Sequence, residues 1–419
     1  MDFDNHPCFN PGLRHSTGRI HLPVAPSCNV QCNYCDRRFD CVSESRPGVS
    51  SAVLSPEAAC DYLGKVLERV PNISVVGIAG PGDPFANAPE TLRTMELVSE
   101  RYPEKILCLA TNGIALEGHV DAIARMRVSH VTVTVNAVDP EIASRVYAWA
   151  RLGPRVYRGL ELGRMVVERQ ERAIRKLKEA GITVKVNTVI VPGVNDKHVE
   201  EIAARAREYG ADVQNCIALM NVPGTPFASV KPPDQAEMGS IRLGAGKHLR
   251  QMSHCARCRA DAVGLLGRDN DAIVETLLAE ARAIRPSGKR PYVAVASREG
   301  ILVNQHLGEA TGLWVYGPGE GGCSLVDRRP TPTPGAGDDR WEALADSLTD
   351  CFAVLCSGLG PAPERILKAR GIRVIAMEGL VRDGVSPLLE GGEVPAALIA
   401  RATGCGKGLG CSGTGMGCA

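Results

Sequence analysis

The chain has 419 residues, more than one ordinary hydrophobic core accommodates, which predicts two or three domains. Its 48 Lys and Arg residues balance 47 Asp and Glu residues, so no net field favours nucleic acid or an anionic membrane as a partner. The chain shows neither a secretory signal nor an apolar stretch long enough to span a bilayer, so we expect a cytoplasmic protein with no membrane or nucleic-acid partner.

The first chemical motif follows the first predicted strand, residues 20–25. Cys28, Cys32 and Cys35 form the pattern C-x3-C-x2-C. Three thiolates at this spacing bind three irons of a [4Fe-4S] cluster and leave the fourth iron open for S-adenosylmethionine (SAM). A structural zinc site would be closed by a fourth protein ligand. The motif therefore predicts a radical SAM enzyme, and the 16 cysteines of the chain indicate further metal ligation rather than disulfides.

Apolar, β-rich runs then alternate with amphipathic stretches as far as about residue 220. The predicted strands are residues 20–25, 73–79, 105–111, 130–136, 182–190 and 212–220, and the clearest helices are 55–69 and 161–180. Ser55 is the expected N-cap of the first helix, with Pro56 at its first position. Six βα units predict a parallel α/β sheet that curls into a partial (β/α)6 TIM-like barrel, with the active site at the carboxyl ends of the strands.

Polar and glycine-rich residues follow three of these strands. They are Gly80, Gly82 and Asp83 after the second, Asn112 after the third and Asn136 at the end of the fourth. Any one of them alone is consistent with ordinary turn chemistry. Because they recur at the same end of successive strands, we expect them to bind SAM, with the glycines allowing close backbone approach.

Further metal ligands are predicted from local context. Cys255 and Cys258 form a C-x2-C pair, and Cys41 and Cys8 lie in polar or irregular segments where a thiol has little to pack against. Cys108 lies among apolar strand residues, where a small buried hydrophobe is the usual explanation and ligation the alternative.

With His6 included, six ligands remain beyond the C-x3-C-x2-C motif, enough for two further clusters with three protein ligands each. We interpret Cys60, Cys216, Cys323, Cys351 and Cys356 as packing residues, and most remaining histidines, including His21, His130 and His254, as surface or internally satisfied side chains.

The chain is predicted to divide at a linker, residues 284–291. A barrel with ligand-bearing extensions would occupy residues 1–283, and a small α/β domain residues 292–403. Its predicted strands are 292–297, 300–304, 313–316, 352–356 and 374–377, and its predicted helices are 363–371 and 394–403. The glycine-rich tail, residues 404–419, carries Cys405, Cys411 and Cys418 and lacks a core of its own.

These motifs together resemble the NifB family of nitrogenase cofactor maturases. The resemblance rests on residues 6–10, 24–37 and 41–48, and it extends through residues 79–84, 111–113 and the Cys255/Cys258 pair. The segment 303–310 resembles the NifX and NafY cofactor carriers, which implies a ribonuclease H-like second domain. His306 lies in this segment and would be a candidate ligand for a finished cluster.

The resemblance implies a reaction in which two [4Fe-4S] clusters are fused with an added sulfur and a SAM-derived carbide into the [8Fe-9S-C] precursor NifB-co. It assigns Cys28, Cys32 and Cys35 to the radical cluster, Cys41, Cys108 and His6 to one substrate cluster, and Cys8, Cys255 and Cys258 to the other. Glu44, three residues after the ligand Cys41, is the candidate catalytic proton acceptor.

The cofactors would be three [4Fe-4S] clusters and SAM. The partners would be a low-potential ferredoxin or flavodoxin and the carriers and scaffold of the nitrogenase cofactor (NifX, NafY and NifEN-like).

Two other functions are compatible with parts of the sequence. One is a radical SAM enzyme that modifies a peptide and uses the additional cysteines for auxiliary clusters, although three of those five cysteines precede residue 110. The other is a non-enzymatic carrier, against which the intact C-x3-C-x2-C motif argues.

Overall fold

The structure is a computed structural model that describes residues 6–36, 39–43, 53–153, 155–255, 258–266, 268–269, 277–278, 290–319, 322–335 and 337–400. The chain forms two compact units, Met1–Ala281 and Arg282–Ala419. Of the predicted linker only residues 290 and 291 are described, and the tail 404–419 lies outside the described residues.

The first unit contains eleven of the described strands. They are β1 (Gly18–His21), β2 (Val30–Cys32), β3 (Ile73–Ile78), β4 (Ile106–Thr111), β5 (Val128–Thr134), β6 (Tyr147–Leu152), β7 (Arg155–Tyr157), β8 (Thr183–Ile190), β9 (Val213–Ala218), β10 (Val263–Leu265) and β11 (Arg268–Asp269).

Seven described α-helices belong to the same unit: α1 (Pro56–Arg69), α2 (Ala88–Arg101), α3 (Val120–Arg125), α4 (Pro140–Val146), α5 (Gly159–Glu179), α6 (Val199–Tyr209) and α7 (Gln235–Gly246). Ser55 caps α1 as predicted, because its hydroxyl accepts a hydrogen bond from the backbone N–H of Ala58.

Six parallel strands form the centre of the main sheet, in the order β1-β3-β4-β5-β8-β9, and β10 and β11 extend it antiparallel beside β1. The order follows the chain, as expected of successive right-handed βα units. β8 is buried along its whole length, which is typical of a central parallel strand covered on both faces. The parallel α/β prediction is confirmed, with strand ends displaced by a few residues from the predicted ones.

A small antiparallel sheet, in the order β2-β6-β7, was not predicted. Its first strand contains Cys32, and the backbone N–H of Arg151 donates to the Asn29 carbonyl at 2.7 Å. The segment between α4 and α5 therefore folds over the cysteine motif and buries it.

The second unit contains a five-stranded sheet in the order β15-β14-β12-β16-β17 and a separate pair, β13 and β18. The strands are β12 (Tyr292–Val295), β13 (Leu302–Val303), β14 (Gly312–Gly317), β15 (Ser324–Pro330), β16 (Cys351–Cys356), β17 (Arg373–Ala376) and β18 (Gly379–Leu380), and the described helices are α8 (Asp338–Ser347), α9 (Pro361–Ala369) and α10 (Val381–Leu389).

One predicted helix of this unit is wrong. Residues 394–400 form turns instead, and residues 401–403 lie outside the described residues. The segment satisfies its backbone by pairing with the end of β17: the N–H of Ala400 donates to Ala376 at 3.0 Å, and the N–H of Glu378 donates to Leu398 at 2.9 Å. Tertiary pairing here overrides the apolar pattern that suggested a helix.

Within the part of the chain that the structure describes, no helix is both long and apolar enough to cross a bilayer.

Candidate metal centre

Cys28, Cys32 and Cys35 lie in one buried loop that begins shortly after β1 and passes through β2. All three are free thiols with at most 9% of their surface exposed, and they belong to one apolar cluster. Three buried thiols in one apolar setting fit the donor set of a [4Fe-4S] cluster with one open iron. The observation supports the predicted role of the motif.

The loop after β3 is hydrogen bonded directly to this cysteine loop. The N–H of Gly82 donates to the Ala25 carbonyl at 2.6 Å, and the N–H of Asp83 donates to the Ser27 carbonyl at 2.8 Å. A Cβ atom at Gly82 would lie only 2.1 Å from the Ser27 oxygen. Glycine is therefore required at position 82 by the close approach of two backbones.

We expect Gly82→Ala to lower the free energy of unfolding by about 1–3 kcal/mol, because the methyl group would force the two loops apart. SAM binding should weaken as well, since the cysteine loop would move. The control is Gly118→Ala, where the added methyl group meets no atom within 4 Å. Denaturant unfolding and SAM titration of both variants check the prediction, and equal stability of the two variants would contradict it.

Asp83 connects the loops after β3 and β4. One carboxylate oxygen accepts hydrogen bonds from the Phe85 and Ala86 N–H groups, and the other accepts from the Thr111 hydroxyl at 2.8 Å and the Asn112 N–H at 2.6 Å. Burial raises the pKa of Asp83, and these hydrogen bonds oppose the shift. The described contacts of this carboxylate are thus structural, and its contact with SAM stays a prediction.

Asn112 lies beside the cysteine motif. Its side-chain nitrogen is 3.8 Å from the Cys28 sulfur and donates to the Asn29 side chain at 2.7 Å. The side-chain oxygen accepts from the Ile114 N–H at 2.9 Å. A polar side chain is therefore held next to the predicted cluster ligand.

Asn136 is completely buried, and both ends of its amide bind protein groups. Its nitrogen donates to the hydroxyls of Tyr34 and Tyr147 at 2.7 and 3.1 Å, and its oxygen accepts from the Val189 N–H at 2.8 Å. The Tyr34 hydroxyl also contacts Ser43 at 2.9 Å. Asn136 thus positions the tyrosine that precedes Cys35, whereas a direct contact with SAM stays a prediction.

A cavity lies inside the curled sheet of the first unit, and its empty volume is about 800 Å³ when the space open to solvent is included. Five of the six predicted substrate-cluster ligands line it: His6, Cys8, Cys108, Cys255 and Cys258. These residues come from the N-terminal segment, from β4 and from the segment after α7, so the fold brings together positions that are far apart in sequence.

Cys108 lies in a row of paired residues that crosses the sheet. His21 in β1 pairs with Gly77 in β3, Gly77 pairs with Cys108 in β4, and Cys108 pairs with His130 in β5. Paired residues of neighbouring strands point to the same face of the sheet. A Cβ atom at Gly77 would lie 2.7 Å from the Cys108 sulfur, so the glycine makes room for this thiol.

The N-terminal segment is fixed against the residues that precede Cys255. The His254 ring donates to the Pro7 carbonyl at 2.9 Å, and Arg250 donates to the Phe9 carbonyl at 3.3 Å. His6 is 3% exposed, and the Phe9 ring packs between buried neighbours. These contacts carry His6 and Cys8 into the cavity.

Burial governs the ionisation of these ligands. It raises the pKa of Cys108 to about 12, with a further rise from the Cys8 thiol, and it raises the pKa of Cys8 to about 11 against the opposing charge of Lys185. Burial also lowers the pKa of His130 to about 4 and that of His6 well below its usual value. Iron binding would therefore require these thiols to lose their protons, while the imidazoles are already neutral.

Two cations contribute positive charge to the cavity. Arg19 is 2% exposed, and its Nε and one Nη atom each lie 3.2 Å from the Cys258 sulfur. Lys185 lines the cavity from β8 and is 8% exposed. Among the described lining residues there is no Asp or Glu. The cavity therefore suits an anionic guest.

The remaining predicted ligands, Cys41 and His306, do not line the cavity. Cys41 is half-buried and donates its backbone N–H to Pro81 at 2.9 Å, but it does not line the cavity, although Val42 and Ser43 do. Glu44 lies outside the described residues. His306 is in the second unit, where its Nδ1 accepts from the Gly308 N–H at 3.1 Å and burial lowers its pKa.

Sequence reasoning missed several polar residues of the cavity, and one interpretation was wrong. His130, expected to be at the surface or internally satisfied, lines the cavity and has a buried Nε2 atom without a hydrogen-bond partner. Arg19, Lys185, Asn187 and Asn215 also line it. The available signal was the recurrence of polar residues at every second position of buried strands, as at Lys185 and Asn187 in β8.

Two family models match the chain. Residues 22–206 match the Radical SAM superfamily, and residues 289–391 match the family described as Dinitrogenase iron-molybdenum cofactor. The two matches fall in the first and second units respectively.

The full-length relatives are more specific. The FeMo cofactor biosynthesis protein NifB of Chlorobaculum tepidum is 49% identical over 422 residues, which cover 100% of this chain and 99% of the relative. The chain belongs to the NifB family. The NifB proteins of Klebsiella pneumoniae and Azotobacter vinelandii are 39% and 36% identical, cover 88% of this chain each, and are themselves covered to 86% and 84%.

Solved structures are more distant from this NifB family member. Methylornithine synthase (PylB) is 15% identical with a TM-score of 0.38, over 66% of this chain and 84% of that one. SuiB of Streptococcus suis bound to S-adenosylmethionine is 13% identical with a TM-score of 0.41, over 56% and 50%. Similarity at this level says nothing about the function of this NifB family member.

Membership of the NifB family confirms the predicted family and fold class. The chain is a radical SAM protein of FeMo cofactor biosynthesis with a curled, half-barrel parallel sheet and a C-terminal NifX-like domain. The radical SAM family implies one [4Fe-4S] cluster and SAM as cofactors.

Proposed function

We propose that this chain fuses two [4Fe-4S] clusters with an added sulfur and a SAM-derived carbide into the [8Fe-9S-C] precursor NifB-co. The observation that carries the proposal is the cavity of the first unit, which five of the six predicted substrate-cluster ligands line. An enzyme that joins two clusters must hold both at once, and ligands that converge on one cavity from distant segments meet that requirement.

Cys28, Cys32 and Cys35 hold the resident radical cluster in this proposal. When bound, that cluster supplies the electron that cleaves SAM to methionine and a 5′-deoxyadenosyl radical. The backbone of Gly80 and Gly82 and the side chain of Asn112 surround the cysteine loop and form the SAM side of the site. Asp83 and Asn136 keep this side rigid through their buried hydrogen bonds.

The substrate clusters are held by the remaining ligands. His6, Cys41 and Cys108 bind one cluster, and Cys8, Cys255 and Cys258 bind the other. Three ligands per cluster leave iron available for bridging, which a cluster used only for electron transfer would not need. Cys255 is exposed, whereas Arg19 donates to the Cys258 sulfur, so the two ligands of this pair have different environments.

The lining of the cavity fits this cargo. Iron-sulfur clusters with thiolate ligands carry negative charge, and Arg19 and Lys185 provide compensating charge where water is scarce. The apolar part of the lining limits side reactions of the radical with solvent or protein.

A first SAM methylates a sulfide of a substrate cluster, and a second generates the radical that removes hydrogen from that methyl group. Glu44 accepts a proton in the later steps.

The second unit is proposed to handle the product, with His306 as a cluster ligand, in keeping with its NifX-like family model. A low-potential ferredoxin or flavodoxin supplies electrons, and NifX, NafY or a NifEN-like scaffold receives the product.

Anaerobic turnover of the iron-reconstituted chain with methyl-deuterated SAM and dithionite tests the proposed function. We expect S-adenosylhomocysteine and 5′-deoxyadenosine to form together, with deuterium from the methyl group in the 5′-deoxyadenosine. The physical reason is that the radical abstracts hydrogen from the methyl group that has been transferred.

A matched reaction with unlabelled SAM in deuterated buffer is the control for solvent exchange. Formation of unlabelled 5′-deoxyadenosine alone from labelled SAM would contradict carbide insertion and leave only the radical SAM activity. A peptide-modifying enzyme would form unlabelled 5′-deoxyadenosine alone.

A further inference from the structure

The small β2-β6-β7 sheet covers the cysteine motif, and its two faces differ in composition. One face packs into the apolar cluster that contains the three cysteines, through residues such as Val30, Ala150 and Tyr157. Residues of the opposite face alternate with these along the strands and are at least partly exposed: Gln31, Trp149, Arg151 and Val156. We call these four residues the outer face. It is accessible to solvent, although the cysteines beneath it are not.

Arginines are concentrated in and beside the outer face. Residues 142–160, which include β6 and β7, contain four arginines and no Asp or Glu, and Glu141 and Glu161 border this segment. The four are Arg145, Arg151, Arg155 and Arg158. Three of them are exposed, and Arg151 is half-buried. In a chain whose basic and acidic residues otherwise balance, such a local excess of positive charge attracts an anionic partner.

Stability of the fold does not account for these charges. Arg155 contacts Glu161, with both side chains more than half exposed, and an ion pair of this kind contributes little to stability. Val156 and Leu160, which are 40% and 42% exposed, add apolar area next to the arginines. Arginine and aromatic side chains beside exposed apolar area are typical of protein–protein interfaces. The composition of this surface therefore favours an anionic protein as its partner.

Gln31 connects the outer face to the cysteine motif. It lies in β2 next to Cys32 and pairs with Trp149 of β6. Its side-chain nitrogen donates to the Cys35 carbonyl at 2.6 Å and to the Cys32 carbonyl at 3.1 Å. β7, at the edge of the sheet, lies two strand spacings, or roughly 10 Å, from β2. A protein bound to the outer face would therefore be close to the radical cluster.

We propose that the outer face, together with Arg155 and Arg158 at its edge, binds an acidic, low-potential electron-transfer protein that reduces the radical cluster. This inference rests on the proposed function, because it takes Cys28, Cys32 and Cys35 as the ligands of that cluster. One electron passes from the carrier to the cluster, so the carrier is oxidised and the cluster reduced, and this electron then cleaves one SAM. Charge complementarity favours this occupant, and electron-transfer complexes need only a small contact area.

A comparison of two reductants tests the proposal. The iron-reconstituted full chain is supplied with SAM and with either an acidic bacterial ferredoxin, reduced beforehand, or dithionite, which is small enough to need no docking surface. In Arg155→Glu/Arg158→Glu we expect 5′-deoxyadenosine formation with ferredoxin to fall at least about tenfold, because attraction of the acidic carrier becomes repulsion. Formation with dithionite should stay at the level of the unsubstituted chain.

Arg69→Glu/Arg125→Glu is the matched control, with the same change in net charge. Both arginines are exposed and lie in the last turns of α1 and α3, which lead into the amino ends of β3 and β5. The cysteine motif follows the carboxyl end of β1 in the same parallel sheet, so the control positions are at the opposite end of the sheet. This variant should keep the ferredoxin-supported rate.

Ionic strength provides a measurement that needs no substitution and is therefore independent of how the variants fold. In the unsubstituted chain the ferredoxin-supported rate should fall as ionic strength rises from about 0.01 M to about 0.15 M, while the dithionite-supported rate changes little. Equal ferredoxin-supported rates in the two double variants, or a rate insensitive to salt, would overturn the proposal. Self-association that is lost only in Arg155→Glu/Arg158→Glu, with an unchanged ferredoxin-supported rate, would assign the outer face to a second copy of this chain instead.

The proposed function is judged by a separate result. With dithionite as the reductant and methyl-deuterated SAM, absence of deuterium from the 5′-deoxyadenosine would contradict carbide insertion. The docking surface is judged only from the difference between the two reductants, so either proposal can fail while the other holds.

Discussion

A chain carrying Cys32→Ala should form no 5′-deoxyadenosine from SAM and dithionite. Cys32 is 9% exposed and lies at the end of β2, in the same apolar cluster as the other two cysteines of the motif. In the proposed arrangement only two thiolates are then left, so one iron of the resident cluster lacks its protein ligand, and electron delivery to SAM should stop. Quantification of 5′-deoxyadenosine by chromatography and mass spectrometry measures the effect.

Cys60→Ala is the matched control for this prediction. Cys60 is also a buried free thiol, 4% exposed, but it lies on the buried face of α1. We expect this variant to retain SAM cleavage and to lose only modest stability. Comparable loss of 5′-deoxyadenosine in both variants would mean that the Cys32 effect arises from misfolding rather than from ligand loss.

The second large effect is expected for the substrate ligands. Cys108→Ala and Cys8→Ala should each lower the iron content of the reconstituted chain by about four irons, because in the proposed arrangement each change removes one of three thiolate or imidazole ligands from a different cluster. S-adenosylhomocysteine formation should fall in the variant that loses the cluster that receives the methyl group. Iron analysis and EPR of the reduced protein measure these losses.

Cys216→Ala provides the control here. Cys216 lies in the same sheet, in β9, is 1% exposed and contacts Gln251 at 3.3 Å, but it does not line the cavity. Its iron content should match the unsubstituted protein. Unchanged iron and unchanged EPR signals in both Cys8→Ala and Cys108→Ala would contradict the arrangement of three ligands per substrate cluster.

Local sequence patterns were sufficient to predict the parallel sheet. The apolar runs at β3, β4, β8 and β9 have the length and pattern typical of buried strands. The positions of Ser55 and Pro56 indicated where α1 begins. The spacing of the cysteine motif was informative because a loop of eight residues allows its three thiols few relative positions. The β2-β6-β7 sheet could not be predicted from local patterns, because its strands are short and β2 is far from β6 in the sequence.

The cavity, in contrast, could not be predicted from local sequence patterns. Pro7 and His254 are 247 positions apart, yet their hydrogen bond carries Cys8 to the neighbourhood of Cys258. No local pattern encodes such a contact, because it depends on which strands become neighbours and on how the chain closes around the sheet. Arg19 was passed over for the same reason, since its partner Cys258 is 239 positions away.

The sequence by itself determined the family, the α/β class and the three thiols of the radical motif, because each depends on residue types at short, fixed spacings. Only the tertiary structure decided that His130 and Lys185 belong to the site and that Asp83 and Asn136 have their hydrogen bonds inside the protein. A polar residue in a buried strand can point to either face of the sheet. Strand order and register select that face, and both arise from contacts between distant parts of the chain.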